Sequence, residues 1–241
     1  MKKSLKHSLF SFIALLAVVG LEAPVLASYS QQNINIFTEE IESLWENDPV
    51  GLSIFLERRK NRLPNFEQSF KQSSVNLDVH WTLIAAISYQ ESHWNPKAIS
   101  DTGVRGMMML TQKTAKEMGI KKRTNAEQSI LGGANYFQKN LSRLPEEMPK
   151  LDRMWMALAS YNLGFVNINL ARELTSESGG DPNLWSDVSL YLPIILIERY
   201  ANEKNEFEKH VQAIEYVERI QLYYQTLSIL NREEEMLLLA V

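Results

Sequence analysis

The hydrophobic pattern of the chain is helical along almost its whole length. Apolar residues recur three and four positions apart between Ile41 and Leu230, and no alternation of apolar and polar positions is long enough to predict a strand. Prolines, glycines and polar clusters divide the pattern, and the clearest loop covers 176–183. The sequence therefore predicts a mainly α fold with little or no β-sheet.

The same pattern places the individual helices. They are expected at 41–62 with a break near Pro49, 66–71, 77–94, 111–118, 128–144, 151–163, 168–174, 188–200 with an interruption at Pro193, and 210–230. The Gly132-Gly133 pair falls inside one of them, where each glycine costs about 1 kcal/mol relative to alanine. That pair indicates that another segment packs closely against the helix backbone.

One helix carries a carboxylate where its pattern calls for an apolar residue. Counting back from Glu91 at helical spacing gives Ile87 and Ile84, and Pro96 predicts that the helix ends at about Trp94. A carboxyl at the exit of a buried helix is partly desolvated, which raises its pKa toward the value that a general acid needs near neutral pH. A glutamate that simply points into solvent is the alternative from this stretch alone.

The first residues follow a different pattern. Lys2, Lys3 and Lys6 precede an apolar run over 9–21, and Ala27 offers a small residue at a cleavage position. The run is short compared with the roughly 20 residues that span a bilayer. We therefore expect 1–27 to be a signal peptide that exports the chain to the periplasm or cell envelope. If the signal stays uncleaved, it would act as a membrane tether.

Composition narrows the function classes. Hydrophobic residues make up 45% of the chain and charged residues 22%, as in ordinary globular proteins. Removing 1–27 takes three lysines and one glutamate from the 25 basic and 29 acidic residues and leaves a formal charge of −6, which argues against nucleic acid. The chain has no cysteine, and His80 and His93 match no metal motif, so no metal or cofactor is expected.

Three further segments are candidates for chemistry. They are Gly103-x-x-Gly106-Met107-Met108-Met109-Leu110, Tyr161-Asn162 followed by Gly164, and Glu215-Tyr216-Val217. Glycines let a ligand approach the backbone and methionines form a polarizable wall, yet methionines also fill cores and Asn and Gly commonly end helices. From the residues alone, the functional and the structural interpretations of each segment both stay open.

Taken in order, these segments resemble the lytic transglycosylase (SLT-type) family of lysozyme-like, murein-cleaving enzymes, and within it the F-type group. The likeness is carried by Gln90-Glu91-Ser92-His93-Trp94-Asn95-Pro96, Ser100-x-Thr102-Gly103-Val104-Arg105-Gly106-Met107-Met108-Met109-Leu110-Thr111, Gln128-Ser129-Ile130-x-Gly132-Gly133-Ala134, Ala159-x-Tyr161-Asn162-x-Gly164 and Tyr216-Val217-x-x-Ile220. It implies a lysozyme-like (goose-lysozyme/SLT-type) helical domain, which we place at 66–230. The residues themselves indicate an N-terminal linker and helical extension at 28–65 and, from a glutamate run followed by an apolar tip, a frayed tail at 231–241.

The resemblance also implies roles for individual residues. Glu91 is expected to be the sole catalytic acid and base, and the hydroxyl of Tyr216 is expected near its carboxylate. The predicted substrate-binding residues are Ser92, Ser100, Met108, Met109, Tyr161, Asn162 and Tyr216. Most of the wider family has glutamine where this chain has Met109, although the F-type group has methionine there. F-type proteins also carry a large solute-binding-like domain ahead of the catalytic one, for which 28–65 is too short.

The expected reaction is cleavage of the β-1,4 bond between N-acetylmuramic acid and N-acetylglucosamine in peptidoglycan glycan strands, leaving a 1,6-anhydro end. Such an enzyme is expected to associate peripherally with the cell envelope. Two alternatives stay open. A hydrolytic lysozyme or chitinase on the same fold would need a second acid to hold water, and Asp101 is the acidic residue near in sequence. A non-catalytic glycan-binding scaffold would keep the cleft without the activity.

Overall fold

The computed structural model of the chain describes residues 36–199 and 204–239, so the predicted signal peptide 1–27 lies outside it. Its helices are α1 (36–44), α2 (Pro49–Asn61), α3 (Glu67–Ser74), α4 (Trp81–Ser92), α5 (Gln112–Glu117), α6 (Ala126–Ser142), α7 (Lys150–Leu163), α8 (Phe165–Glu177), α9 (Trp185–Arg199) and α10 (Lys204–Leu239). A single 3₁₀ turn, Leu63–Asn65, joins α2 to α3.

The predicted mainly α fold is confirmed. Among the described residues there is no β-strand, and only isolated bridges join Arg105 to Ile99 and to Leu110. Within the same residues, no helix is both long and apolar enough to cross a bilayer. The fold is therefore built from helix-on-helix packing, and the bridged loop between α4 and α5 is its main irregular feature.

The described residues form two compact units. The larger unit covers Ser53–Leu227 and contains most of the buried apolar side chains. The smaller unit is described over 36–52 and 228–239, where Trp45 and Ile229 are buried. In that unit the guanidinium of Arg232 pairs with the carboxylate of Glu40 at 3.4 Å. All the candidate site residues belong to the larger unit.

Helix α4 is buried on every side rather than along one stripe. Every residue from Trp81 to Tyr89 is buried, and so is Ser92. A helix that is apolar all round belongs in a core, because no face of it is suited to water. At its start the His80 side chain accepts a hydrogen bond from the backbone N–H of Thr82. The helix is therefore a fixed rod that carries Glu91 near its C-terminal end.

The end of α4 lies two residues earlier than predicted, at Ser92 instead of Trp94. His93 and Trp94 take left-handed backbone conformations, with φ of 52° and 56°. Such conformations cost free energy for residues with a side chain and persist where tertiary contacts hold them. Here the buried indole Nε1 of Trp94 donates to the carbonyl of Ala85 at 2.9 Å. That bond turns the chain back along α4.

The close approach predicted at the glycine pair of α6 is confirmed. A Cβ added to Gly132 would lie 2.6 Å from the Ile120 side chain, and one added to Gly133 would lie 2.7 Å from Cβ of Met108. Both distances are shorter than any ordinary carbon contact, so only glycine fits while the neighbours stay in place. The pair therefore lets the loop after α4 pack directly on the α6 backbone.

We expect Gly133→Ala to destabilise the protein by about 1–3 kcal/mol, the usual cost of overpacking a core. Helix propensity alone predicts the opposite sign, a gain of about 1 kcal/mol. The free energy of unfolding should be measured in denaturant, with Asn135→Ala on the exposed side of the same helix as the control. A stabilised Gly133→Ala variant would contradict the contact with Met108.

Four other helix predictions need correction. Helix α9 runs through Pro193 without interruption. A proline inside a helix costs about 3 kcal/mol, and burial of Val188 and Leu192 on the same helix offsets that cost. Helix α8 is 13 residues long, against the seven predicted. Helix α10 begins at Lys204, and it continues to Leu239, so 231–239 is helical and not a frayed tail. The domain boundaries themselves stay a prediction.

Candidate active site

The candidate site is centred on a contact between two helices that are far apart in the sequence of the larger unit. The hydroxyl of Tyr216, on α10, donates to Oε1 of Glu91, on α4, at 2.6 Å. These residues are 125 positions apart in the chain. Tyr216 is buried, whereas Glu91 keeps part of its surface accessible. A tyrosine fixed in the core thus holds one oxygen of a carboxyl whose surroundings remain partly open.

Burial raises the pKa of the Glu91 carboxyl from its ordinary 4.5 to about 7, and the hydrogen bond from Tyr216 offsets part of that rise. The cause is the loss of water around the charged form, which a single tyrosine hydroxyl replaces only in part. Burial also raises the pKa of Tyr216 well above its ordinary value, so its hydroxyl stays protonated and remains a donor. Near neutral pH, Glu91 is therefore populated in both its acid and its base form.

A polar cavity of about 360 Å³ lies beside this pair. Its lining residues are Gln90, Asn162, Gln212, Glu215, Tyr216 and Arg219. The lining offers side-chain amides, a carboxylate and a guanidinium, which can donate to and accept from the hydroxyl and acetamido groups of a sugar. Tyr216 lines the cavity and also bonds Glu91, and Gln90, the residue before Glu91, lines it as well. The lining fits a polar ligand better than an apolar one.

The loop that carries the methionines is tied to the base of the site by hydroxyl groups. Ser92 and Ser88 both donate to the carbonyl of Met107, at 2.8 Å and 3.2 Å. The buried hydroxyl of Tyr161 donates to the carbonyl of Met108 at 2.9 Å. These bonds satisfy carbonyls that would otherwise be buried without partners, which fixes the loop's backbone relative to α4 and α7.

The structure separates the predicted substrate-binding residues into two groups. Asn162 is exposed in the cavity wall, Ser100 is partly exposed, and Met109 is partly exposed with a left-handed φ of 45°. Ser92 and Met108, in contrast, are buried. The hydroxyl of Ser92 is used within the protein, and the side chain of Met108 packs on Gly133. The predicted substrate contact of these two residues stays a prediction.

Comparison with known proteins identifies the domain around Glu91. Residues 68–185 match the family model described as "Transglycosylase SLT domain". The chain is 47% identical over 182 residues to a protein of Saccharophagus degradans named "Membrane-bound lytic murein transglycosylase F". Residues 68–185 form an SLT transglycosylase domain. The match with the SLT family agrees with the lysozyme-like class that the sequence predicted.

Proteins of the same name in other bacteria give similar matches. The protein of Idiomarina loihiensis is 46% identical over 185 residues, and that of Shewanella oneidensis is 41% identical over 214 residues. The three alignments cover 75%, 76% and 86% of this chain, but only 36%, 40% and 44% of the respective relatives. The chain thus spans less than half the length of the curated relatives that it matches.

The cavity also has two lining residues that the sequence reasoning missed. Gln212 and Arg219 line it together with Tyr216 and with Glu215, which the sequence had singled out only as a neighbour of Tyr216. Their spacing of three and four places them on one face of α10, which is the signal that could have identified them. The Glu215 carboxylate accepts a hydrogen bond from Arg219 at 2.7 Å, so that its charge is already paired.

The structure gives no sign of a second carboxylate that acts on Glu91 among the residues it describes. The rise of the Glu91 pKa comes from burial, and no second carboxylate contributes among the residues that the structure describes. Asp101, which the hydrolytic alternative would require, is exposed in the loop before Gly103. In the described part of the SLT domain, no three His, Asp or Glu side chains are grouped to hold a metal ion. The expectation of a reaction without a metal stays a prediction.

Proposed function

We propose that the chain is a peptidoglycan lytic transglycosylase. The observation that carries the proposal is a single glutamate, Glu91, in the matched SLT domain. It has a pKa of about 7 and a hydrogen bond from buried Tyr216, which lines a polar cavity together with Gln90, the residue before Glu91. The printed name of the relatives describes them as lytic murein transglycosylases. Their activity is consistent with the chemistry that this one carboxyl can perform.

In the first half-reaction, protonated Glu91 donates to the glycosidic oxygen between N-acetylmuramic acid and N-acetylglucosamine. The bond from that oxygen to the anomeric carbon of muramic acid breaks, and the substrate's own N-acetyl group stabilises the positive charge that develops there. In the second half-reaction, ionised Glu91 takes the proton of the muramic 6-hydroxyl, whose oxygen bonds to the anomeric carbon. No water is consumed, and Glu91 returns to its starting protonation state.

A pKa near 7 suits both half-reactions, because the same group must be a competent acid first and a competent base afterwards. The nucleophile belongs to the substrate, so that little entropy is lost in bringing it to the reacting carbon. Ordinary glycosidases use a second carboxylate as nucleophile or to activate water. The intramolecular hydroxyl makes that second group unnecessary, which fits the absence of a second carboxylate from the causes of the Glu91 pKa shift.

The substrate and the location of the protein follow from the same proposal. Peptidoglycan lies outside the cytoplasmic membrane, so the signal-like segment 1–27 supports export to the periplasm or cell envelope. The relatives are named membrane-bound, and peripheral association with the envelope is proposed for this chain on that likeness. Glycan strands are the proposed partner.

The products of digestion test the proposal. Purified murein sacculi should be incubated with the protein and the released muropeptides weighed by mass spectrometry. Transglycosylation gives 1,6-anhydro ends that are lighter by one water than the corresponding hydrolytic products. Reducing ends would instead establish a hydrolase. If the protein binds sacculi and releases nothing, the non-catalytic scaffold is the better description.

A further inference from the structure

A second cavity, outside the site described above, has four cationic side chains in its lining. Its volume is about 660 Å³, and its walls come from α5, α6 and the residues around the start of α8. We call it the basic groove. Its lining residues are Lys113, Lys116, Glu117, Tyr136, Lys139, Asn140, Arg143, Phe165 and Val166. Four cationic side chains thus face a single carboxylate in one concave surface.

Most of that positive charge is available to a ligand. Glu117 forms an ion pair with Lys139. Among the described residues, Lys113, Lys116 and Arg143 form no ion pair, although the Glu117 carboxylate also attracts Lys113 and Arg143 from a greater distance. The guanidinium of Arg143 lies 3.7 Å above the ring of Phe165, where its planar face is held and its N–H groups remain free at the edge. The groove therefore presents an excess of positive charge on a protein whose overall formal charge is negative.

A buried donor in the groove wall also lacks a partner. Asn140 is 1% exposed and lines the groove, and its Nδ2 makes no hydrogen bond within the described residues. Leaving a buried donor unpaired costs about 1–3 kcal/mol, so such a group calls for an acceptor that the protein does not provide. A ligand oxygen in the groove would supply it. The donor and the surrounding cations favour the same chemistry, an anion with carbonyl or carboxylate oxygens.

The basic groove is joined to the Glu91 site through two tyrosines. Tyr136 lines the groove, and its ring packs edge-on against Tyr161 with centroids 5.1 Å apart. Tyr161 in turn holds the carbonyl of Met108 in the loop beside Glu91. An extended chain covers about 3.3 Å per residue, so two residues of a peptide attached to the sugar are longer than the 5.1 Å between these rings.

The chemistry of the proposed substrate indicates one ligand for the basic groove. The N-acetylated sugars of a glycan strand are neutral along their length. The lactyl group of each muramic acid, in contrast, carries a peptide with free carboxylates, and these are the negative charges nearest to the cleaved bond. We propose that the basic groove binds this acidic peptide, with Lys113, Lys116 and Arg143 facing its carboxylates and Asn140 donating to one of its oxygens. This inference rests on the proposed function.

Binding to a chain that cannot cleave tests the inference separately from catalysis. In the Glu91→Gln background, glycan oligomers that carry their peptides should be compared by calorimetry with the same oligomers after an amidase has removed the peptides. Lys113→Gln with Lys116→Gln should weaken binding of the peptide-bearing oligomers about fivefold or more, and Arg143→Gln by a similar factor. Binding of the peptide-free oligomers should not change.

A matched control distinguishes binding in the groove from general attraction between opposite charges. Lys60→Gln with Lys150→Gln removes two exposed positive charges outside the groove, and it should leave binding of both ligands unchanged. Raising the salt concentration should erase the advantage of the peptide-bearing oligomers. Equal weakening by the control pair, or equally tight binding of heparin, would overturn the inference in favour of general attraction to polyanions.

A variant of Asn140 tests the inference independently of the cations. Asn140→Leu removes an unpaired buried donor, so the variant should be at least as stable as the parent while binding the peptide-bearing oligomers several-fold more weakly. Lower stability with unchanged binding would show that Asn140 serves the fold and not the ligand. If groove variants lose binding but the parent releases no anhydro products from sacculi, the groove assignment stands and the proposed activity fails. If neither oligomer binds, the proposed substrate is wrong and the groove assignment falls with it.

Discussion

Glu91→Gln is expected to abolish glycan cleavage and, at the same time, to make the protein more stable above pH 7. The loss of activity follows because one carboxyl performs both proton transfers. General acid–base catalysis contributes about 10²–10⁴ in rate, and an amide can neither donate nor accept the proton. We expect a decrease of about a thousandfold or more in the rate of anhydro-product release, measured on sacculi at pH 7.

The gain in stability follows from the raised pKa. Folded Glu91 binds its proton with a pKa of about 7, whereas the unfolded chain binds it with the ordinary value of 4.5. Between these pH values the native state holds more protons than the unfolded state, so the free energy of unfolding falls as the pH rises through this window. Above pH 7 the full cost is present, on the order of 3 kcal/mol for a shift of this size. A neutral glutamine avoids that cost.

Denaturant unfolding at two pH values measures the effect. The Glu91→Gln variant should be more stable than the parent by about 1–3 kcal/mol at pH 8, and the difference should vanish near pH 4. Glu218→Gln, an exposed glutamate on α10, is the control and should change neither activity nor stability. A Glu91→Gln variant that keeps a tenth of the parent's activity would refute the catalytic role. One that is less stable at pH 8 would refute the desolvation of the carboxyl.

This combination of effects distinguishes a functional carboxylate from a structural one. A buried glutamate that stabilises the fold through a partner should lower stability when it is replaced. Glu91 has one described partner, a neutral tyrosine, and that bond offsets burial only in part. The site therefore keeps a group that the fold alone would not favour, as expected where function and stability oppose each other.

The sequence predicted the structure best at positions where the residue type has one main physical explanation. Glycine in the interior of α6 has no local benefit, so the pair at Gly132 indicated a close neighbour before that neighbour was known. Glu91 stood out for the same reason, as a charge at the end of an apolar helix. The predicted helix 111–118 also starts as its sequence indicates, because the hydroxyl of Thr111 accepts from the N–H of Thr114 at 3.0 Å and caps α5.

The ends and breaks of helices were predicted less accurately where tertiary packing determines them. Pro96 limits how far α4 can run, but the helix ends earlier because the Trp94 indole reaches back to Ala85. Pro193 is a helix breaker by local rules, and the buried side chains of α9 overrule it. In each case the deciding contact joins residues whose pairing no local pattern contains.

The candidate site was likewise predicted only in part. The sequence singled out the methionine loop, but it could not tell which methionines are buried, because that depends on the glycine pair of α6. The basic groove was not predicted at all. Its cations come from α5 and from the C-terminal end of α6, and neither segment forms a charge run in the sequence. Such a surface exists only after the helices have packed, and it can be recognised only in the folded chain.

Tyr216→Phe tests how far the partner of Glu91 tunes the carboxyl. Its hydroxyl donates to Glu91 at 2.6 Å and lowers the carboxyl's pKa against the effect of burial. Hydrogen bonds to charged groups contribute about 1.5–3 kcal/mol, which corresponds to roughly 10–100-fold in rate when the bond is lost at the reacting group. We expect a loss of that size in kcat/KM at pH 7, smaller than the loss caused by Glu91→Gln.

The pH profile separates tuning from simple damage. Free enzyme with protonated Glu91 is the active form, so kcat/KM of the parent should decline as the pH rises above about 7. Without the tyrosine hydroxyl the pKa of Glu91 rises further, so the decline of Tyr216→Phe should begin at a higher pH. Tyr224→Phe, on the same helix, is the control and should keep the parent profile. A variant with lower activity and an unshifted profile would show that Tyr216 only packs against its neighbours.

A double variant completes the argument. If Tyr216 acts through Glu91, then Tyr216→Phe should cause little further loss once Glu91 is already glutamine, because residues that work as a unit are strongly non-additive. Anhydro-product release from the two single variants and the double variant gives the coupling directly. Losses that multiply would mean that Tyr216 contributes to cleavage by a route separate from the carboxyl, such as contact with the sugar. Non-additive losses would identify the 2.6 Å hydrogen bond as the link through which α10 controls the acid on α4.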